Sequence, residues 1–296
     1  MHFRTRTVAS IAVASAAAIT ASTGAVALAA SSSATRTAAA AAVPVVTVHM
    51  SDSAIKLSGG GTTTSNGSTT VHAGRITFRV VTGAGDHVLQ IMRFRHGYTA
   101  QDAQQDIPKA FSGDTDAIKR VDDGISFRGG AEAKPQHPGR MVVTLSKGEY
   151  FLVDQNGNAG AVLEVTGSVP ARATVPHQGT YTAFTYGWDV TKNLPAKGVV
   201  RVHNQADQPH FLEIQHIKES TTKRQVRKVM SPNYKGGQPS WALKGTAQSG
   251  VISPTKSQLL KYDLPAGKYV IACFWPDLNS GMPHAFMGMW KIVHLS

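Results

Sequence analysis

Two stretches of this chain run through the same order of local patterns, and that repetition restricts the fold more than any other feature. In the first, Arg75 to Val81 alternates like a strand and Asp86-His87-Val88-Leu89-Gln90-Ile91 follows. A polar segment from Thr99 to Ala110 then reads as a short helix, and Leu145-Ser146-Lys147-Gly148-Glu149-Tyr150 leads on to Asp154. In the second, Val199 to His203 precedes Pro209-His210-Phe211-Leu212-Glu213-Ile214. A helical segment from Ser220 to Met230 comes next, and Leu264-Pro265-Ala266-Gly267-Lys268-Tyr269 leads on to Cys273. Histidine and tyrosine stand 63 residues apart in the first stretch and 59 in the second, which points to a tandem repeat. Short period-two runs between Gly, Pro, Asn and Ser clusters predict an all-β chain of sandwiches, each with a short helical insertion.

The chain has 296 residues, enough for two such units. Residues 1 to 30 read as a secretory leader: Arg4 and Arg6 precede an Ala/Val/Ile-rich run, and Ala27-Leu28-Ala29 offers a small-residue cleavage site. The alternative is a retained anchor, although Ser, Thr and Gly dilute the run. Residues 31 to 43, rich in Ser, Thr and Ala, are expected to be a disordered tether or spacer. The first domain is expected over 44 to 168 and the second over 176 to 296, joined by a Pro-containing segment at 168 to 176 across which few contacts are shared. Without the leader, 28 Lys and Arg face 18 Asp and Glu. A basic exported protein has affinity for acidic envelope or cell-surface components or for an acidic redox partner. The basic residues are scattered and no nucleic-acid motif accompanies them.

The single cysteine, Cys273, cannot form an internal disulfide, so outside a cell it must be buried or bound to metal. Strand alternation puts Tyr269, Ile271 and Cys273 on one face and Val270, Ala272 and Phe274 on the other. A loop from Trp275 to Met289 follows, holding His284, Met287 and Met289, before a last strand from Trp290 to Leu295. A thiolate, two imidazoles and a weak axial thioether are the donors of a blue-copper site, and His210 is the candidate second imidazole.

Asn204 six residues before His210, Leu264-x-x-Gly267-x-Tyr269-x-x-x-Cys273, then His284 and Gly288-Met289, resemble the copper-site signature of the plastocyanin and azurin type of cupredoxin. The resemblance covers residues 180 to 296 or so. It implies two tandem Greek-key cupredoxin-like sandwiches and one type 1 copper ion held by His210, Cys273, His284 and Met289. Met287 competes for the axial place. Ten residues separate Cys273 from His284 where cupredoxins usually hold two to four, and Pro276 and Pro283 bound a loop that can bulge outward. In the first domain His87 stands where His210 does, but Asp154 replaces Cys273 and Gln155 to Gly160 hold no His or Met. That domain is read as structural or partner-binding.

The function expected is an exported electron carrier. An interaction, copper-storage or copper-delivery module on the same scaffold is the alternative. No His-x-His pair of the multicopper enzymes occurs, so the chain is expected not to be an enzyme.

Overall fold

The computed structural model describes residues 43–65, 68–157, 159–168 and 175–296. The leader, the tether up to residue 42 and residues 169–174 of the expected boundary lie outside the described residues.

The first half contributes β1 (Val45–Ser51), β2 (Ala54–Gly59), β3 (Thr63–Ser65), β4 (Ser68–His72), β5 (Gly74–Thr82) and β6 (His87–Phe94). Helices α1 (Ala100–Phe111) and α2 (Thr115–Gly124) follow, then β7 (Ile125–Gly129), β8 (Glu132–Ala133), β9 (Gly139–Leu145), β10 (Gly148–Asp154) and β11 (Gly160–Thr166). The second half contributes β12 (Gly179–Phe184), β13 (Gly187–Val190), β14 (Lys197–Asn204), β15 (Glu213–Ile217), α3 (Lys223–Val229), β16 (Ala242–Gln248), β17 (Ser257–Asp263), β18 (Gly267–Ala272) and β19 (Trp290–Leu295). The all-β expectation holds.

Both expected helices form, and capping boxes set their starts. Thr99 Oγ1 accepts from the Asp102 N–H while Asp102 accepts from the Thr99 N–H, and Thr222 with Gln225 repeats the arrangement. The helix α2 was not anticipated. Its signals were a capping Asp114 and apolar Ala117, Ile118 and Val121 at helical spacing, all now buried.

The strands form three sheets. β7-β6-β10-β11-β4-β3 covers the first half and β16-β15-β18-β19 the second. Each half pairs in the same way: a hairpin (β1–β2, β12–β13), a parallel neighbour (β1–β5, β12–β14), then an antiparallel one (β5–β9, β14–β17). Each half also ties a buried tyrosine back four residues, from the Tyr150 hydroxyl to the Ser146 carbonyl (3.0 Å) and from Tyr269 to Pro265 (2.6 Å).

The expectation of few shared contacts does not hold. β9 and β17 pair antiparallel, Met141 opposite Leu260, so both halves join one sheet of order β2-β1-β5-β9-β17-β14-β12-β13. The pattern needed for this was present in each strand, but apolar alternation does not name the partner of an edge strand. One hydrophobic cluster runs through both halves, from Phe78 and Leu89 to Tyr262 and Trp275.

Backbones also approach closely at the seam. Gly129 donates to the Val251 carbonyl (2.9 Å), and buried Gln258 holds both the N–H and the carbonyl of Gly130 (2.7 and 2.9 Å). Buried Gln90 accepts from the Val251 N–H (2.7 Å) and donates to its carbonyl (3.2 Å). A methyl group on Gly130 would collide with the Leu89 carbonyl oxygen, and one on Gly250 would lie 2.5 Å from the Gly129 carbonyl carbon. Backbone atoms cannot rotate away, so Gly130→Ala should cost about 2–3 kcal/mol or more. Chemical denaturation checks this against Gly237→Ala, whose added carbon meets nothing within 4 Å and which should change stability by less than about 1 kcal/mol.

Candidate metal centre

Hydrogen bonds to the backbone assemble the site. Asn204, at the end of β14, donates to the carbonyls of Gln208 (2.8 Å) and Ile252 (2.9 Å) and accepts from the Ala206 N–H (2.9 Å). That fixes the loop delivering His210, whose own N–H and carbonyl bond Ile252 (3.1 and 2.8 Å). Cys273 follows β18 directly, and its N–H donates to the Met289 carbonyl (3.2 Å). Tyr269, Ile271 and Cys273 join the core shared by both halves, while Val270 and Ala272 join a smaller one beside α3, as alternation requires.

The long loop closes. Pro276 and Pro283 bridge, the Asp277 N–H donates to Met282 (2.9 Å), and the His284 N–H donates to Trp275 (2.9 Å), bringing His284 back beside Cys273. Asp277 Oδ1 gathers the turn by accepting from the N–H groups of Asn279 (3.2 Å) and Ser280 (2.8 Å). His284 opens a 3-10 turn that Gly288 ends at φ 108°, a conformation suited to glycine, and Met289 N–H then donates back to the His284 carbonyl (3.0 Å).

His210 Nδ1 lies 3.5 Å and His284 Nδ1 3.9 Å from Cys273 Sγ, and the two Nδ1 atoms are 3.1 Å apart. Cys273, His284 and Met289 are 0% exposed and His210 2%. One ion with bonds of about 2.0 Å to nitrogen and 2.3 Å to sulfur would separate its donors by roughly 3.3–3.7 Å, so this triangle fits a single metal. A sulfur and two imidazoles are a donor set for copper or zinc. Met289 is tied by its backbone to both Cys273 and His284. Met287 instead turns its sulfur to Ser280 Oγ (3.8 Å) on the exposed side of the turn.

A second layer of side chains, missed in the sequence, orients His284. Asp277 accepts from Tyr186 (2.6 Å) and from the Gln208 amide nitrogen (3.1 Å), so the Gln208 oxygen must face the other way. There it accepts from the Leu278 N–H (2.8 Å) and meets His284 Nε2 (3.3 Å). Nε2 therefore carries the proton, and the Nδ1 lone pair faces the thiol. Gln208 sits two residues before His210, and only the folded loop shows that it meets His284. The Phe211 N–H donates to Cys273 Sγ (3.5 Å). Trp275 packs edge-on against Phe111 and Phe127 of the first half (ring centroids 5.4 and 5.2 Å).

The first half has the same frame with other chemistry. Val88 N–H donates to Asp154 (3.2 Å) as Phe211 does to Cys273, and His87 Nδ1 bonds Asp154 at 2.6 Å. His87 Nε2 faces the Ala84 carbonyl (3.0 Å), so each ring nitrogen lies against a protein oxygen.

No family model matches the chain and no curated protein matches it. Among solved structures it is similar to auracyanin A, titled a "blue" copper protein, from Chloroflexus aurantiacus: 13% identity, TM-score 0.28, 41% of this chain and 98% of that one. It is also similar to the copper nitrite reductase of Nitrosomonas europaea (13%, TM-score 0.22, 85% of this chain and 93% of that one). A blue copper oxidase from the same organism is matched at 12%, TM-score 0.21, over 85% of each chain. Such TM-scores carry no argument about activity. The fold is cupredoxin-like. That statement stands on the paired sandwiches and on the three donors that the second one brings together. The expectation that the chain is not an enzyme is withdrawn, because the solved structures it is similar to include a copper nitrite reductase and a blue copper oxidase.

The metal-free site is electrically neutral. Burial pushes the Cys273 thiol up to about 12. Burial likewise lowers His284 to about 4, and burial together with the His284 charge holds His210 well below the ordinary imidazole value. Asp277 stays ionised, since hydrogen bonds from Tyr186, Ser280 and Gln208 outweigh the opposing effect of burial.

Between an ordinary imidazole value of 6.5 and about 4, the unfolded chain takes up a proton that folded His284 refuses. Stability of the metal-free protein should therefore fall as pH drops through that window, by about 3 kcal/mol from His284. Above 9 the unfolded chain loses the thiol proton that folded Cys273 keeps to about 12, so stability should fall again as pH rises. Urea midpoints across pH check both limbs, and His284→Ala should make the acid one shallower, leaving the part due to His210.

Proposed function

We propose that the second half holds one copper ion on His210 Nδ1, His284 Nδ1 and the Cys273 thiolate, with the Met289 thioether axial, and that this centre transfers single electrons. The convergence of two Nδ1 atoms on a fully buried sulfur carries the reading. Copper bound to such donors supplies a one-electron couple. The chain's contribution is to keep the donors in place and dry. Asn204 and Ile252 hold His210, the Phe211 N–H draws charge from the sulfur, and Gln208 fixes the His284 tautomer. Donors held by this many hydrogen bonds suit electron transfer better than the uptake and release that storage or delivery demands.

An electron must also leave. The His284 ring meets Tyr186 edge-on, with centroids 5.5 Å apart, and Tyr186 is partly exposed. Phe111, Phe184 and Met282, three of the four exposed large hydrophobic residues among those described, lie on or next to the loop and its neighbours. They support docking of a redox partner at this end. The leader-like residues 1 to 30 support export. No helix of the described residues is long and apolar enough to cross a membrane.

Copper titration should saturate at one ion per chain, with an intense band in the red part of the visible spectrum that Cys273→Ser abolishes. Uptake without that band would refute thiolate ligation. Met289→Leu should keep the copper and raise the potential, because a weak donor to the oxidised ion is lost, whereas Met287→Leu should leave the potential where it was. The reverse pattern would make Met287 the axial ligand.

A further inference from the structure

The eight-stranded sheet buries one face in the shared core and presents the other outward. On the outward face Arg79 of β5 stands directly opposite Arg140 of β9, and Arg140 directly opposite Lys261 of β17. All three are exposed. Among the described residues no acid pairs with any of them, and the nearby Asp263 is taken by Lys197 (2.9 Å). Like charges in direct register destabilise a sheet. Charged residues protect edge strands from aggregation, but β9 and β17 lie at the middle of this sheet, so edge protection does not account for the row. The same face carries Arg75 further along β5 and Arg201, which pairs with Leu259 two residues from Lys261.

We propose that this row is a docking surface for a linear phosphate polymer. Neighbouring strands lie about 4.8 Å apart, so the three cations span about 10 Å across the strands. That is the span of a chain of anions rather than of one ion. Each unit of such a polymer carries its charge on the chain itself and has two free oxygens that match a guanidinium fork, so successive units can meet Arg79 and Arg140 in turn. The row is also remote from the metal centre. Lys261 pairs with Val199, five residues before Asn204, about 17 Å along the strand at about 3.3 Å per residue. The surface anchors the protein and leaves the metal end free.

The test uses the full chain and long-chain inorganic polyphosphate as probe, with affinity measured over a range of salt. The triple variant Arg79→Gln, Arg140→Gln, Lys261→Gln should bind at least tenfold more weakly. Its slope of log affinity against log salt should be shallower by about two, the loss expected for three phosphate contacts with a single-stranded polyanion. A second triple, Lys223→Gln, Arg224→Gln, Lys228→Gln on the exposed face of α3, removes equal charge and should stay within twofold of the parent. Equal losses in the two triples would reduce the effect to net charge and overturn the proposal. So would absence of binding by the parent, or binding of polyglutamate as tight as that of polyphosphate with the same loss in the first triple. An unchanged melting curve for the first triple keeps a folding defect from imitating the expected result.

Discussion

The antiparallel pairing of β9 with β17 turns two sandwiches into one body, and the candidate centre leans on the joint it makes. Once the two strands share hydrogen bonds, residues 250 to 253 are pressed against β7, where glycines at 129, 130 and 250 let backbone meet backbone. Ile252 lies in that segment and grips His210. On the other side of the centre, the loop carrying His284 is braced where Trp275 packs on Phe111 and Phe127 of the first half. The first half has no metal-ligand cluster among its described residues, yet it supplies part of the wall that holds the other half's candidate ligands.

Holding two imidazoles and a thiol in a dry pocket has an electrostatic consequence. Without a metal the stable state is the neutral one, because desolvation disfavours the imidazolium and the thiolate alike. A bound cation reverses the balance for the sulfur, whose proton must leave as the metal enters. The site therefore resists spurious charging and waits for an ion that can stabilise the thiolate.

His87 with Asp154 and His210 with Cys273 show how little separates a closed polar pair from a candidate metal site. The backbone is arranged alike, and in each the N–H after the histidine donates to the acceptor on the neighbouring strand. A carboxylate can take the imidazole proton directly at 2.6 Å, and the Ala84 carbonyl faces the other ring nitrogen. A buried thiol offers a poorer hydrogen bond, and a second imidazole brings its Nδ1 atom to within 3.1 Å of that of His210. One pair is a carboxylate against an imidazole, whereas the other gathers a sulfur and two imidazole nitrogens at one place.

Much of this was legible in the linear chain. Period-two alternation, the repeated His-to-Tyr frame, the capping residues Thr99 and Thr222, and the types of the four proposed ligands are local properties, and local physics sets them. The prolines at 276 and 283 likewise marked where a long loop would pinch shut. Three things depended on distant residues meeting. The strand that β9 would choose, the Gln208–Asp277–Tyr186 chain behind His284, and the row of cations across β5, β9 and β17 all involve positions from 60 to more than 180 residues apart. Strand partners and hydrogen bonds between loops are selected by which arrangement buries the most apolar surface while leaving few polar groups unpaired, and that is a property of the whole packed chain. The sequence by itself determined which side chains could serve as ligands; the tertiary structure decided that they meet, and in what company.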